Sequence, residues 1–243
     1  MKRNLVVGLL CCVVLAGLFS CNGEEKDEDP TRRLSQEELW KRATRNDSVE
    51  AYEAYLSTYP AGSHAKEAER RLRAIWDKKV EDLSPSRMKD LRAVMETGYG
   101  TIKFKFYPEE APQTCRNFIK LARSHFYDGL KFFRVIDDYL IQTGCPFNTG
   151  KGGPGYTISA ELSNRQHLEG TVSIARLKND RNSAGSQFYI CLSPQPQLDN
   201  EYTVFGQVVE GMEVARTIGE LPTGEKDRPV DPPEIKKVRI EGL

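Results

Sequence analysis

Four patterns of apolar and polar positions succeed one another along the chain. Leu5 to Phe19 is an apolar run, preceded by Lys2 and Arg3 and closed by Ser20-Cys21. It is too short for a comfortable membrane span but has the make-up of a secretory signal core. Residues 22–33 (NGEEKDEDPTRR) hold nothing able to nucleate a core and predict a disordered tether over 21–33. From residue 34 to about 83 the apolar positions recur at steps of three and four, which predicts helices with one buried stripe each. Ser35 with Glu38 makes a capping box ahead of Leu39, Trp40 and Ala43. Asp47 or Ser48 can cap a second helix carrying Val49, Tyr52, Tyr55 and Leu56. Ser63 can open a third with Ala65, Ala68, Leu72, Ile75 and Trp76. Ser84-Pro85-Ser86 reads as a linker that ends a helical segment at residue 86.

After Leu91 the period becomes two. Thr101 to Phe106 (TIKFKF) alternates polar and apolar, as a half-buried antiparallel strand does. Ala111-Pro112 then starts a helix with Cys115, Phe118, Ile119 and Ala122 on one face. Short apolar strands follow at Leu130–Ile136, Tyr139–Gln142, Thr171–Ile174, Gln187–Cys191 and Thr203–Val209. A helical stretch at Met212–Ile218 and a last strand at Ile235–Ile240 close the pattern. Many short strands with few helices predict a barrel over residues 87–243.

Composition changes this picture mainly by exclusion. Lys+Arg and Asp+Glu number 35 each, so no basic excess points to nucleic acid. His64, His125 and His167 are scattered and flank no Cys or carboxylate at ligand spacing, so no metal is expected. With Cys21 set aside, Cys115, Cys145 and Cys191 remain; three is odd, so at least one stays free. Gly150 to Gly155 (GKGGPG) satisfies the dinucleotide fingerprint, yet strand-like Tyr156-Thr157-Ile158-Ser159 follows where a helix is needed. Gly152 also stands where a phosphate loop requires Ser or Thr. No cofactor is expected, and GKGGPG reads as a loop near a groove.

What remains is an inventory without a nucleophile beside a base: one arginine, two glutamines, and aromatic and aliphatic side chains on strands. Such a set can bind a peptide and ease rotation about an amide. A guanidinium stays protonated and offers a rigid fork of donors to a twisted amide.

The blocks FFRVIDDYLIQTGCP, TGKGGPGYTISAE, GTVSIARLKNDRNSAGSQFYI and LDNEYTVFGQVVEGMEV, in this order and spacing, resemble the cyclophilin family of peptidyl-prolyl cis-trans isomerases. The resemblance runs from about Leu91 to Leu243. It implies a mainly β fold: a closed eight-stranded antiparallel barrel capped by two helices, here preceded by a small α-helical segment. It also implies Arg134 as the catalytic arginine and Gln142 lining the same groove. Tyr139, Leu140, Tyr189, Leu198 and Tyr202 fall on the proline pocket. Ala175 and Arg176 fall on the strand whose backbone binds the substrate peptide, and Gln187 on a polar groove position. Tyr139 and Tyr189 replace phenylalanines, Gln197 a frequent tryptophan, and Tyr202 a frequent histidine. The implied ligands are proline-containing polypeptides. A barrel kept as a non-catalytic peptide-docking module is the rival reading.

Two further resemblances concern the first part. Leu18-Phe19-Ser20-Cys21 is similar to a bacterial lipobox, implying a signal peptide over 1–20, a lipid on Cys21 and anchoring in the cell envelope. SVEAYEAYLSTYPAGSHAKEAERRL resembles about one tetratricopeptide-like helical hairpin. One repeat rarely stands alone. It is expected to pack on the main domain, to dimerise, or to dock a protein partner.

Overall fold

The computed structural model describes residues 34–243. The leader, the tether and Cys21 lie outside the described residues. Three helices come first: α1 (Gln36–Asn46), α2 (Val49–Thr58) and α3 (Ala65–Glu81). The capping box forms as read, with Ser35 Oγ accepting from the Glu38 amide and the Ser35 amide donating to Glu38 Oε2. Ser48, not Asp47, caps α2. Ser63 does not cap α3, because its hydroxyl accepts from the Gln36 side chain of α1 instead. The three apolar stripes meet at Ala43, Tyr52, Tyr55 and Ala68, with Leu39, Trp40, Leu72 and Ile75 around them.

The expected linker is a helix. Ser84 caps α4 (Pro85–Asp90) by accepting from the Arg87 amide, and Pro85 sits in the first turn, where its missing N–H costs nothing. Val80 and Met88 are buried in the same core as the sheet, so the helical segment packs on the main body. The junction also uses α5 (Pro112–Arg123): Lys120 pairs with Asp77 at 3.4 Å, and the Arg123 guanidinium lies 3.7 Å from the Trp76 ring centre.

Eight antiparallel strands follow. They are β1 (Arg92–Thr97), β2 (Gly100–Phe106), β3 (Arg134–Ile136), β4 (Leu140–Thr143), β5 (Thr171–Ile174), β6 (Phe188–Cys191), β7 (Val204–Glu210) and β8 (Ile235–Glu241). Their order is β3-β4-β6-β5-β7-β2-β1-β8. β1 hid from the pattern because Ala93, Val94 and Met95 are all buried, which erases alternation. The interior is aromatic: Phe118 of α5 meets Phe104, Phe106, Tyr127, Phe188 and Phe205, with centroids 4.8–5.9 Å apart. A second helix, α6 (Met212–Gly219), buries Ala215 and Ile218 against the sheet.

The expectation of a closed barrel is corrected here. β3 and β8 end the strand order and form no ladder with each other. Among the described residues an isolated bridge, Lys131 to Glu234, crosses the seam, with the Phe132 amide donating to Pro233 O, the Ile235 amide to Leu130 O and the Gly129 amide to Ile235 O. Pro232-Pro233 supplies no amide hydrogen there, so the pairing cannot spread. The same seam explains why the predicted strand Leu130–Ile136 shortens to Arg134–Ile136: its first half turns toward Pro233 and Ile235.

Candidate functional site

Strand register builds the site. Arg134 of β3 stands opposite Gln142 of β4, Gln142 opposite Tyr189 of β6, and Tyr189 opposite Ser173 of β5. Directly paired residues share a face, so these four form one row across the sheet. Two residues along, Leu140 pairs with Cys191 and lies on the same face. The alternate positions Val135, Ile141, Ile190 and Val172 point the other way, into the aromatic core. A slip of one residue would exchange the site for the core, and the buried interior prevents it.

Arg134, Tyr139, Leu140, Gln142, Ala175, Arg176, Tyr189, Leu198 and Tyr202 line a single slot of about 130 Å³. Of the expected catalytic and substrate-binding residues, Gln187 alone lies outside it. Gln187 lines a larger adjoining groove of about 440 Å³, which shares Gln142, Ala175 and Arg176 with the slot and runs under Gly150–Thr157 and Leu177. Slot and groove adjoin along Gln142, Ala175 and Arg176. GKGGPG lies in the wall of the groove.

Arg134 is about one-third exposed. Among the described residues its partner is Asp227, whose Oδ2 lies 3.2 Å from Nε. That leaves the other four of its five N–H groups for a ligand. Asp227 follows Lys226, and both have left-handed backbones, at φ 58° and 61°. Gln142 Nε2 donates to Gln187 Oε1 at 3.1 Å, and Gln187 Nε2 donates to the carbonyls of Gly150 and Gly152. This relay orients Gln142 so that its side-chain oxygen remains an acceptor beside the guanidinium.

The slot walls are held from behind. Leu140, Tyr189, Cys191 and Leu198 are buried together, with Tyr139, Ala175 and Tyr202 packed on them. Tyr202 meets Tyr189 edge to face at 5.9 Å, and the Arg176 guanidinium covers Tyr202 at 4.6 Å. The Arg176 side chain is engaged with Glu201, at 2.8 Å to Oε2, and with the Leu177 and Lys178 carbonyls. It braces the wall and offers no charge to the slot. The Ala175 amide donates to Gln187 O at 2.8 Å, so that donor serves the sheet. Gln197 donates to Gln195 Oε1 at 2.7 Å.

Two features escaped the sequence reading. His167 is buried behind Tyr189, with Nδ1 2.9 Å from Asp199 Oδ1 and Nε2 3.2 Å from both Ser173 Oγ and Tyr189 Oη. Burial lowers its pKa more than Asp199 raises it. Burial pushes the Asp199 carboxyl up, but the amide and ring of His167 outweigh that and hold it below the ordinary value. Burial also drives the Tyr189 phenol well up and the Cys191 thiol to about 12. Gly144, with φ +90°, closes β4 where an added Cβ would stand 2.2 Å from Ser186 O. His167 meets Asp199 and Tyr189, and Gly144 meets Ser186, across 22 or more positions, and no local pattern signals them.

Residues 92–240 match the family model described as Cyclophilin type peptidyl-prolyl cis-trans isomerase/CLD. The chain belongs to this family. Helices α1 to α4 precede the matched cyclophilin region. A Synechococcus elongatus protein named peptidyl-prolyl cis-trans isomerase is 48% identical over 129 residues, which is 52% of this chain and 88% of that one. Peptidyl-prolyl cis-trans isomerase B of Bacillus subtilis is 42% identical over 154 residues, 61% of this chain and 100% of its own. Among solved structures, a Cryptosporidium parvum cyclophilin-type isomerase, crystallised in the presence of the dipeptide Ala-Pro, superposes with TM-score 0.59 at 33% identity. That likeness covers 62% of this chain and 98% of the other. The cyclophilin region accounts for the sheet, α5, α6 and the whole slot.

Proposed function

We propose that the protein catalyses rotation of X-Pro peptide bonds in exported polypeptides, with Arg134 as the catalytic group and the slot between Tyr139, Leu140, Tyr189 and Leu198 holding the proline ring. The observation that carries this reading is one guanidinium with unengaged N–H groups on the rim of a slot walled by Tyr139, Leu140, Tyr189 and Leu198. Amide resonance sets a rotation barrier of about 18–20 kcal/mol, and X-Pro bonds exchange unaided in roughly tens of seconds. In the twisted amide the prolyl nitrogen gains a lone pair, and Arg134 donates to it or holds the prolyl carbonyl.

Arginine alone is insufficient. A 10⁵-fold gain needs about 7 kcal/mol, whereas one charged hydrogen bond supplies about 1.5–3 kcal/mol. The difference comes from fixing the ring in the slot, from Gln142 and the β5 edge clamping the flanking peptide, and from excluding the water that favours the planar amide. One side of the bond is then held while the other turns. Gln187 acts at one remove, by orienting Gln142 and the glycine loop.

The site of action we infer is the cell envelope, with a lipid on Cys21 tethering the domain through residues 22–33. Clients are then polypeptides folding after export. Helices α1 to α3 form a tetratricopeptide-like arm that recruits or spaces, since they stand outside the region shared with the relatives and join it through α3.

A protease-coupled isomerase assay on an Ala-Pro tetrapeptide tests the central claim. Acceleration of the slow phase in proportion to enzyme concentration is expected. Exchange at the spontaneous rate would leave only a docking module.

A further inference from the structure

The polar chain behind the slot has a definite direction. Asp199 Oδ1 accepts from both the backbone amide of His167, at 2.7 Å, and its ring Nδ1, at 2.9 Å. In a neutral ring with the hydrogen on Nδ1, Nε2 is an acceptor. Two hydroxyls lie 3.2 Å from it, those of Ser173 and Tyr189. Ser173 has a single hydrogen, and the Thr203 carbonyl takes it at 2.8 Å. Of the two hydroxyls, that of Tyr189 is the one with a hydrogen left to donate to Nε2, Ser173 Oγ being its other neighbour. Its ring lies nearly parallel to the imidazole, at 18°.

We propose that His167, oriented by Asp199, is a positioning residue for the prolyl slot: it accepts the Tyr189 hydroxyl and so holds the ring as an apolar wall with its oxygen turned away from the substrate. This rests on the reading of the slot as the proline site. The arrangement resolves the cost of a tyrosine in an apolar pocket. A buried phenolic hydroxyl without a partner is unfavourable, so without His167 it would turn toward water or ligand in the slot and take the ring with it. Asp199 fixes the tautomer that makes His167 an acceptor, as orienting carboxylates do for other buried imidazoles. His167 touches no substrate atom and acts only through Tyr189.

The test is a substitution cycle in the isomerase assay. His167→Leu is expected to lower kcat/KM about tenfold, chiefly by raising KM, because it strands the Tyr189 hydroxyl. In a Tyr189→Phe background, where there is no hydroxyl to strand, the same His167→Leu step changes kcat/KM by no more than about twofold. His167→Gln keeps an acceptor at similar reach and stays within about threefold of the parent. Equal losses in both backgrounds would reduce His167 to a structural role and overturn the proposal. A long-range ¹H–¹⁵N spectrum of the unaltered protein gives a check independent of variant folding. It should show His167 with hydrogen on Nδ1 and an Nε2 resonance that moves in Tyr189→Phe; hydrogen on Nε2 overturns the proposal. If the unaltered protein does not speed proline exchange, the isomerase reading fails first, and the spectrum still reports on the hydrogen bond.

Discussion

Replacing Arg134 by alanine separates catalysis from folding more sharply than any other single change. The side chain is about one-third exposed, and its partner Asp227 is nearly half exposed. Their bond is a surface ion pair, worth about 0.2–1 kcal/mol to stability, and its loss strands no buried charge. At roughly 2–4 °C per kcal/mol for a chain of this size, the melting temperature should fall by no more than about 4 °C. Activity should respond far more strongly. Loss of a charged donor to the twisted amide removes about 1.5–3 kcal/mol from the transition state, or roughly 10–150-fold in kcat/KM. Because the planar substrate benefits little from that donor, the fall should appear in kcat more than in KM. The assay is the protease-coupled reaction on an Ala-Pro tetrapeptide, paired with thermal denaturation of the same preparation. Turnover within twofold of the parent would remove Arg134 from the mechanism. A loss of activity that tracked a loss of folded protein would show that the side chain serves structure.

Three further outcomes are expected. Gly144→Ala places a Cβ against the Ser186 carbonyl in a backbone region alanine avoids, so it should cost about 1–3 kcal/mol or more; a lower urea midpoint with unchanged slope would show it. Stability should decline in acid in two stages. The folded His167 pKa lies below 6.5, so its contribution is full above pH 6.5 and is lost as pH falls through the folded value; Asp199 repeats this below pH 3.8. Urea midpoints between pH 7 and 3 check this, and a midpoint that rose on acidification from pH 6.5 would contradict the assignment. Cys21→Ser should move the protein from the membrane to the soluble fraction after cell lysis; continued membrane retention would argue against the lipid anchor.

Most elements were legible before any coordinates, because their signals are local. The Ser35–Glu38 box, the stripe Cys115, Phe118, Ile119 and Ala122, and the alternation of Ile102, Phe104 and Phe106 each depend on residues a few positions apart. β1 was obscured because both of its faces are covered, and α4 because Ser-Pro-Ser opens a helix as readily as it makes a linker. The ordered blocks around Arg134, Gln142, Gln187 and Leu198 carry the family, and residues 92–240 bear that out.

The pattern of apolar positions by itself determined the helical start and the β-rich remainder, since burial periodicity is written into neighbouring side chains, and the resemblance of the ordered blocks implied the residues gathered around the slot. Only the tertiary structure decided that the sheet stays open at Pro232-Pro233, that the Arg176 side chain braces Tyr202, and that the Ala175 amide is already engaged. The same holds for the chain from Asp199 through His167 to Tyr189. These facts depend on which atoms meet across tens of residues and on how many hydrogens each can give. Hydrogen-bond capacity is settled only when every competing partner is in place.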